Sequence, residues 1–411
     1  MTWFSENPLK AKLLFALNLL IFTFILLLIT ELGLGYVHYK NKYASLSDSD
    51  QRYIRLRENP PNMDVEREIS EANKKQYNII NLQEDKYRLR TDENGFVQPS
   101  KIHNDADVEV FFIGGSTTEC KALSEELRFP YLTGRLLEEN TGLKVNSYNA
   151  GVSGNHSFHS INSLLNKIIP YHPKIAVLMN NVNDVALVSF GSYWSNSMNK
   201  SLIINSKTVG TALPEKAPFF FPVLKQLVGE ALAKYSEEEW EHDYTRPPTN
   251  ELKYAKSTGE HFQIDTKEII RQYENSLITF IKVCRTWNIV PVLMTQVILD
   301  QKDVKVMTEI PARIDLTMPE DPMTDPGMLS IMYSFQDTFN NVIRNVAAAE
   351  EVLLIDLKNL VPSGDHRYIY DRFHYNDSGS VLVSSLIADK LQGIILNDSI
   401  LTEDEKQPLV Q

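Results

Sequence analysis

The sequence predicts a three-layer α/β domain with a central parallel sheet, preceded by one N-terminal transmembrane helix. Two observations predict the domain. Short runs rich in apolar residues alternate with longer segments of helical spacing from about residue 108 to residue 391, and the run Ile175–Met179 is apolar throughout. Strands that alternate with helices form a parallel sheet covered on both faces, so such strands are apolar on both sides. A third observation, an uncharged stretch near the N-terminus, predicts the membrane helix.

The strands are predicted where apolar runs are short and continuous, as in Ile175–Met179, and the helices where apolar residues recur three and four apart. The predicted strands are Val108–Ile113, Val145–Tyr148, Ile175–Met179, Ile289–Met294 and Val352–Ile355. The predicted helices are Glu125–Glu139, Ser157–Ile169, Lys267–Trp287, Met328–Ala348 and Asp377–Leu391. Residues 307–327 hold four prolines and are predicted to be irregular.

Residues 101–395 are predicted to form the domain, and residues 396–411 a tail. Before it, residues 37–100 are polar and are predicted to be a tether and entry segment. Within it, residues 187–263 form an insertion, because a connection this long in a compact α/β domain is usually functional. The aromatic residues of the insertion either line a substrate cleft or give it a small core of its own.

Residues 13–36 are predicted to be a transmembrane anchor behind a short tail of residues 1–12. Leu13 to Thr30 carries no charge, and a helix of this length spans roughly 27 Å, close to the thickness of a bilayer core. The apolar core of a signal peptide is usually shorter, which favours an uncleaved anchor, although cleavage stays an alternative. Lysines lie on both sides of the apolar stretch, so charge does not decide the orientation of the helix. The short tail before the helix favours a domain outside the cytoplasm, periplasmic or extracellular.

The composition is that of an ordinary globular protein, with 43% hydrophobic and 23% charged residues. A net charge of −12 argues against a nucleic-acid partner, because proteins that bind nucleic acids present a basic face. Cys120 and Cys284 are too few for a zinc site or a disulfide framework and are predicted core residues. A single disulfide between these two cysteines stays an alternative. No metal and no organic cofactor is expected.

Four segments rich in polar residues lie next to the predicted strands and helices. Ser116 follows the first strand, Gly154 the second and Asn183 the third, while Asp371 and His374 precede the last helix. Ligands of an open parallel sheet bind outside the carboxyl ends of its strands, so these residues are expected to converge at one edge.

This set of residues suits nucleophilic catalysis. A serine becomes a nucleophile when a base takes its proton, and the base needs an orienting partner. Asp371 and His374 are three residues apart and share one face if they lie in a helical turn. Donors for a developing oxyanion are the backbone N–H groups of Ser116 and Gly154 and the side-chain amide of Asn183.

The four segments, IGGSTT, NAGVSGN, NNVND and DRFH, resemble the ordered blocks of the SGNH hydrolases, the GDSL-type esterase superfamily. The resemblance implies a flavodoxin-like fold, a triad of Ser116, His374 and Asp371, and an oxyanion hole from Ser116, Gly154 and Asn183. Two positions depart from the family pattern. Gly115 stands where the first block usually has aspartate, and Asn181 where the third block usually has glycine.

The resemblance implies a membrane-anchored serine esterase that hydrolyses a small acyl ester, such as an acetyl ester on a carbohydrate, through an acyl-serine intermediate. Two alternatives remain open. One is an O-acyltransferase that passes the acyl group to a cell-envelope polysaccharide, and the other is a non-catalytic binding scaffold of the same fold. The expected partners are the acyl ester substrate and, through residues 13–36, the membrane, and a polysaccharide is a partner in the alternative with a carbohydrate substrate.

Other motifs are less favoured. The turn around Ser116 lacks the Gly-x-Ser-x-Gly elbow of α/β-hydrolases, and the Ser-x-x-Lys at Ser197 lacks the partner motifs of penicillin-binding proteins. His156 and His159 are expected to have loop or packing roles. Glu241–Asp243 is interpreted as a solvated charged face and not as a metal site.

Overall fold

The computed structural model describes residues 7–44, 54–71, 74–75, 79–186, 205–206, 258–300, 303–321 and 324–396. The chain forms two compact units, one of residues 1–54 with 206–243 and one of residues 55–205 with 244–411. The second unit contains the central sheet.

The described strands are β1 (Ile54–Arg55), β2 (Asp64–Glu68), β3 (Lys86–Arg90), β4 (Val108–Gly114), β5 (Val145–Gly151), β6 (Ile175–Met179), β7 (Asn205–Ser206), β8 (His261–Asp265), β9 (Val290–Met294), β10 (Arg313–Thr317) and β11 (Leu353–Ile355). Five of them form the central sheet in the order β11-β9-β6-β4-β5, and every pair is parallel. Numbered along the chain, this order is 2-1-3-4-5, the flavodoxin-like arrangement. The predicted fold class is confirmed.

The described α-helices are α1 (Pro8–Ala44), α2 (Ser116–Glu119), α3 (Phe129–Thr141), α4 (Ser157–Ser163), α5 (Val182–Ala186), α6 (Thr266–Thr286), α7 (Pro326–Ala349), α8 (Leu357–Leu360) and α9 (Asp377–Leu396). A π-helical turn, Leu164–Ile168, continues α4, and 3-10 turns span Glu125–Leu127 and Ile169–Tyr171. The helices predicted from spacing are all present, with ends that differ by a few residues.

The central sheet separates two hydrophobic cores, because successive side chains of a strand point to opposite faces. Phe111 of β4 packs with α4, α6 and α7 on one face, and Phe112 packs with α3 and α9 on the other. Cys284 lies in the first core and Cys120 in the second, and both are buried free thiols. The two cysteines are core residues as predicted, and the sheet between them excludes the disulfide.

The segment before β4 packs against the sheet unit from Leu56 onward. Leu56 is buried, β2 pairs antiparallel with β3, and the Val97 N–H donates to Asn149 O of the edge strand β5 at 2.9 Å. Lys167 and Glu58 form an ion pair at 3.0 Å with side chains only 6% and 9% exposed. Most charged residues of this segment are exposed, but some of its polar groups, such as those of Asn59 and Asp92, are buried and have hydrogen-bond partners, as burial requires.

Residues 307–327 are not entirely irregular, because they contain β10, which pairs antiparallel with β8. Ile314 of β10 lies opposite Ile264 of β8, and both are buried while their neighbours along the strands are exposed. The prolines of the segment lie outside β10, where they interrupt no strand hydrogen bonds.

Two described helices are long and apolar enough to cross a membrane, Pro8–Val37 within α1 and the whole of α9. The most apolar 18-residue window of the stretch Pro8–Val37 has a mean hydropathy of 2.7, and none of that window is buried. Helix α9 is different, because Val383, Ile387 and Leu391 fill the core that it shares with α3. Its apolarity therefore reflects burial in the domain.

Candidate active site

The first polar segment places Ser116 at a sharp turn between β4 and α2. β4 ends at Gly114, which lies beside Gly151 of β5 and Met179 of β6, so the three strands end at the same edge. Ser116 is the first residue of α2 and is half-buried. The N–H groups in the first turn of a helix have no partner within the helix and are suited to an anion.

Position 115 requires glycine because a larger side chain would collide with its neighbours. A Cβ at this position would lie 2.2 Å from Asn183 Nδ2 and 3.1 Å from Asn155 O. Its φ of −93° and ψ of −153° are accessible to any residue, so backbone conformation does not impose the glycine. The departure from the aspartate of the SGNH pattern therefore lets the Asn183 amide pack directly over the backbone beside Ser116.

The structure brings Ser116, His374 and Asp371 together. His374 Nε2 lies 2.7 Å from Ser116 Oγ, and His374 Nδ1 lies 2.6 Å from Asp371 Oδ2. A carboxylate only accepts hydrogen bonds, so in the neutral ring Nδ1 carries the proton and donates it to Asp371. Nε2 is then the acceptor for the Ser116 hydroxyl, which is the tautomer that a general base requires.

Asp371 and His374 lie in a bend and not in a helical turn. Asp371 Oδ1 accepts hydrogen bonds from the backbone N–H groups of Phe373 at 2.9 Å and His374 at 2.8 Å. Such a side-chain acceptor satisfies the backbone locally and competes with helix formation. The same carboxylate thus folds the loop with one oxygen and orients the imidazole with the other.

Asp371 remains ionised in this site. Burial by itself raises the pKa of Asp371, but the attraction of His374 and the hydrogen bonds from the His374 ring and the two backbone N–H groups outweigh it. The net result is a pKa below the ordinary value of an aspartate. The His374 ring is further held by Tyr370, which stacks on it at a centroid distance of 5.5 Å, and by Phe373 at 4.5 Å.

The second and third polar segments meet beside Ser116. Asn183 Nδ2 donates to Asn155 O at 2.8 Å, and both atoms lie close to the Cα of Gly115. Gly154 precedes Asn155 and has a φ of +80°, a left-handed conformation that favours glycine. The amide of Asn183 has a second N–H, so one of its two donors fixes the loop and the other is available to a ligand.

The departure at Asn181 also has a structural explanation. Asn181 Nδ2 donates to Gln336 O and to Asn340 Oδ1, both at 2.9 Å, which fastens the third segment to α7. Asp184, next to Asn183, accepts a hydrogen bond from the Ser157 N–H at 3.0 Å and so holds the start of α4. Neither contact involves Ser116 or His374.

Two polar residues of this region, Arg57 and Asn59, were missed in the sequence because they are far from the four segments. Arg57 Nη1 donates to Asn155 Oδ1 at 3.1 Å, and Asn59 Nδ2 donates to Gly151 O at 3.2 Å and to Glu119 Oε1 at 3.1 Å. Burial lowers the pKa of Arg57 to about 10, against the attraction of Glu119, so the guanidinium stays charged at neutral pH. No motif identifies these residues in the sequence.

His156 and His159 are buried and cap the N-terminus of α4. His156 accepts from the Phe158 N–H at 3.3 Å, and His159 Nδ1 accepts from the His156 N–H at 3.2 Å. Burial, with repulsion from Arg57, lowers the pKa of His156 to about 3. Burial, with repulsion from His156 and Arg57, lowers the pKa of His159 well below its usual value. Both rings have the packing role expected from the sequence.

These two histidines predict acid-sensitive stability. The unfolded chain protonates both near pH 6.5, whereas the folded chain keeps them neutral, so the free energy of unfolding falls as the pH drops below about 6.5. The expected contribution is about 1.4 kcal/mol per pH unit for each histidine, down to the folded-state pKa. Denaturant titrations at pH 7, 6 and 5 measure it. A variant with His156→Asn and His159→Gln should lose less stability than the wild type, and equal losses would contradict the assignment.

Within the parts of the chain that the structure describes, no group of three His, Cys, Asp or Glu residues is arranged to hold a metal ion. Ser197, Glu241–Asp243 and nearly all of the predicted insertion 187–263 lie outside those parts.

The structure defines an α/β protein with a hydrogen-bonded serine, histidine and carboxylate at the edge of its parallel sheet. No protein-family model matches the sequence, and no curated protein matches it.

Similar solved structures include LAE5, an α/β hydrolase from the metagenome of Lake Arreo, with 15% identity, a TM-score of 0.38 and coverage of 70% of this chain and 96% of that chain. A catalytic mutant of an acetylxylan esterase from Geobacillus stearothermophilus has 14% identity, a TM-score of 0.39 and coverage of 70% and 94%. A lipase/acylhydrolase from Enterococcus faecalis has 15% identity, a TM-score of 0.36 and coverage of 70% and 96%.

Proposed function

We propose that this chain is a membrane-anchored serine esterase of the SGNH type. The observation that carries the proposal is the continuous hydrogen-bonded path from Ser116 Oγ through His374 to Asp371, with distances of 2.7 and 2.6 Å. Serine, histidine and a buried carboxylate in this order form the arrangement that activates a hydroxyl as a nucleophile.

In the acylation step, the Ser116 Oγ attacks the carbonyl carbon of an ester while its proton passes to His374 Nε2. The carbonyl oxygen becomes an oxyanion, and the imidazolium is stabilised by the charge of Asp371. The tetrahedral intermediate collapses when the carbon–oxygen bond to the alcohol breaks. His374 then returns the proton to the alcohol oxygen, which leaves an acyl ester on Ser116.

Deacylation repeats these steps with water. His374 Nε2 takes a proton from the water, whose oxygen attacks the acyl carbon, and the Ser116 Oγ leaves as the proton returns to it. The acid is released and the serine is restored. In the alternative transferase, a sugar hydroxyl takes the place of water at this step and the acyl group is retained on the polysaccharide.

The oxyanion is proposed to bind the backbone N–H groups of Ser116 and Gly154 and the Asn183 amide. The contact of Asn183 with the backbone beside Ser116 supports this role, because it fixes the amide next to the nucleophile. Preorganised donors of this kind stabilise charge that develops only in the transition state.

Asn183→Ala is expected to lower kcat by roughly 10²- to 10³-fold, because it removes one oxyanion donor. KM should change little, since the ground-state ester carries no full charge on its oxygen. Steady-state kinetics with p-nitrophenyl acetate measure both parameters. Unchanged turnover in a folded Asn183→Ala protein would reject the role.

The substrate is proposed to carry a small acyl group, acetyl on a carbohydrate being the example. A panel of p-nitrophenyl esters of increasing chain length tests the activity and the acyl size together, and kcat/KM should be highest for the shortest chains. Absence of hydrolysis, together with no labelling of Ser116 by a fluorophosphonate, would support the non-catalytic scaffold. Released acetate measured against acetylated glycan separates hydrolysis from transfer.

The anchor is proposed to be residues 13–36 of α1, with the catalytic domain outside the cytoplasm. The mean hydropathy of 2.7 in the most apolar 18-residue window of Pro8–Val37 supports a membrane-spanning helix. Extraction of membranes with alkaline carbonate tests the proposal. The full-length chain should stay in the pellet, whereas a shortened chain in the supernatant would indicate a cleaved signal sequence.

A further inference from the structure

Gln296 is a buried residue that links two segments of the candidate site. It follows β9 at the same sheet edge as Ser116 and has 6% of its surface exposed. Its Nε2–H donates to Thr117 Oγ1 at 2.6 Å, and its Oε1 accepts from the Val182 N–H at 3.0 Å. Thr117 is the neighbour of Ser116 and Val182 the neighbour of Asn183, so one planar amide bridges the nucleophile turn and the third segment.

The backbone of Gln296 is itself held in place. The Gln296 N–H donates to Asn340 Oδ1 and the Asn340 Nδ2 donates to Gln296 O, both at 3.0 Å. Asn340 Oδ1 also accepts from Asn181 Nδ2 at 2.9 Å. The three side chains are at most 6% exposed, and buried hydrogen bonds of this kind are costly to break. The link therefore has one well-defined geometry.

We propose that Gln296 is a positioning residue that sets the separation between the Ser116 hydroxyl and the Asn183 amide. This inference rests on the proposed function. Gln296 acts through its neighbours, and the geometry it fixes matters only when an oxyanion forms between nucleophile and donor. A displacement of about 1 Å in a catalytic arrangement can cost about 10²-fold in rate.

Gln296→Met, a replacement of similar shape, tests the proposal by removing both hydrogen bonds of the amide. The expected result is a kcat for p-nitrophenyl acetate about 10- to 100-fold lower, with KM within about threefold of the wild type. The double variant with Asn183→Ala should be no slower than Asn183→Ala alone, because Gln296 acts through Asn183. Independent, multiplied losses in that cycle would overturn the proposal.

Asn146→Ala is the matched control. Asn146 is also a buried amide, which accepts from the Ile102 and His103 N–H groups at 2.9 Å and donates to His103 O at 2.8 Å, but near the opposite end of β5. It should destabilise the fold without changing kcat. An equal loss of kcat in this control would show that Gln296 acts only through stability.

Thr117→Val decides the case if Gln296→Met does not fold, because it removes only the hydroxyl that Gln296 contacts. Its kcat should fall about 3- to 10-fold, whereas a wild-type kcat would overturn the proposal. Labelling of wild-type Ser116 by a fluorophosphonate separates the two hypotheses. If the wild type shows neither labelling nor esterase activity, the proposed function fails. If it shows both, the variants test only the role of Gln296.

Discussion

Replacing Ser116 with alanine is expected to lower kcat for ester hydrolysis by about 10³- to 10⁶-fold while the protein stays folded. The variant lacks the oxygen that forms the acyl-enzyme, so no covalent intermediate can accumulate. Stability should change little, because Ser116 is half-buried and its hydroxyl contacts His374 without capping α2, whose N-cap is Gly115. His374→Ala should cause a loss of the same order, because serine without its base is a weak nucleophile.

Two measurements test Ser116→Ala. The pre-steady-state burst of p-nitrophenol should be absent, and so should labelling of the protein by a fluorophosphonate. Ser124→Ala is a matched control, since Ser124 is an exposed serine shortly after α2 that makes no side-chain capping hydrogen bond. It should retain full activity. Residual labelling of Ser116→Ala at another serine, with turnover near that of the wild type, would place the nucleophile elsewhere.

Replacing Asp371 with asparagine is expected to lower kcat by about 10⁴-fold, the size of effect seen when this substitution is made in other Ser–His–Asp sites. The asparagine oxygen can still accept from the Phe373 and His374 N–H groups, so the bend should persist. Its NH₂ group, however, donates to His374 Nδ1 and forces the ring proton onto Nε2. The ring then has no acceptor for the proton of Ser116.

Asp365→Asn is the matched control for this variant. Asp365 is an exposed aspartate whose Oδ1 accepts from the Arg367 N–H at 2.9 Å, a similar local turn without an imidazole partner. Steady-state kinetics should show a wild-type kcat for the control and the large loss for Asp371→Asn only. A loss smaller than about tenfold in a folded Asp371→Asn protein would mean that the carboxylate does not set the tautomer.

The fold was predictable from the sequence because it depends on local patterns. Continuous apolar runs such as Ile175–Met179 identified buried strands, and their alternation with helices left few topologies to consider. Ser116 and His374 are 258 positions apart in the chain, yet both could be placed at one sheet edge, because strand polarity determines where each connection emerges.

Other features depend on contacts that leave no local pattern. Arg57 and Gln296 are single polar residues whose partners lie far along the chain, so nothing in their neighbourhood marks them. The bend at Asp371 could not be distinguished in the sequence, because a spacing of three residues suits both a helical turn and a side-chain-capped loop. β10 was missed because prolines near a strand were interpreted as evidence against it.

The packing of residues 56–97 against the sheet has a consequence for how the domain would be released from the proposed anchor. A proteolytic cut between β2 and β3 would leave two fragments joined by the strand pair and by the hydrogen bonds of Arg57 and Asn59. Shedding of an intact domain therefore requires cleavage ahead of Arg55. A recombinant soluble form begun at residue 101 would lack Arg57 and Asn59, leave the Glu119 carboxylate without the guanidinium that attracts it, and uncover the β5 edge for association with other chains.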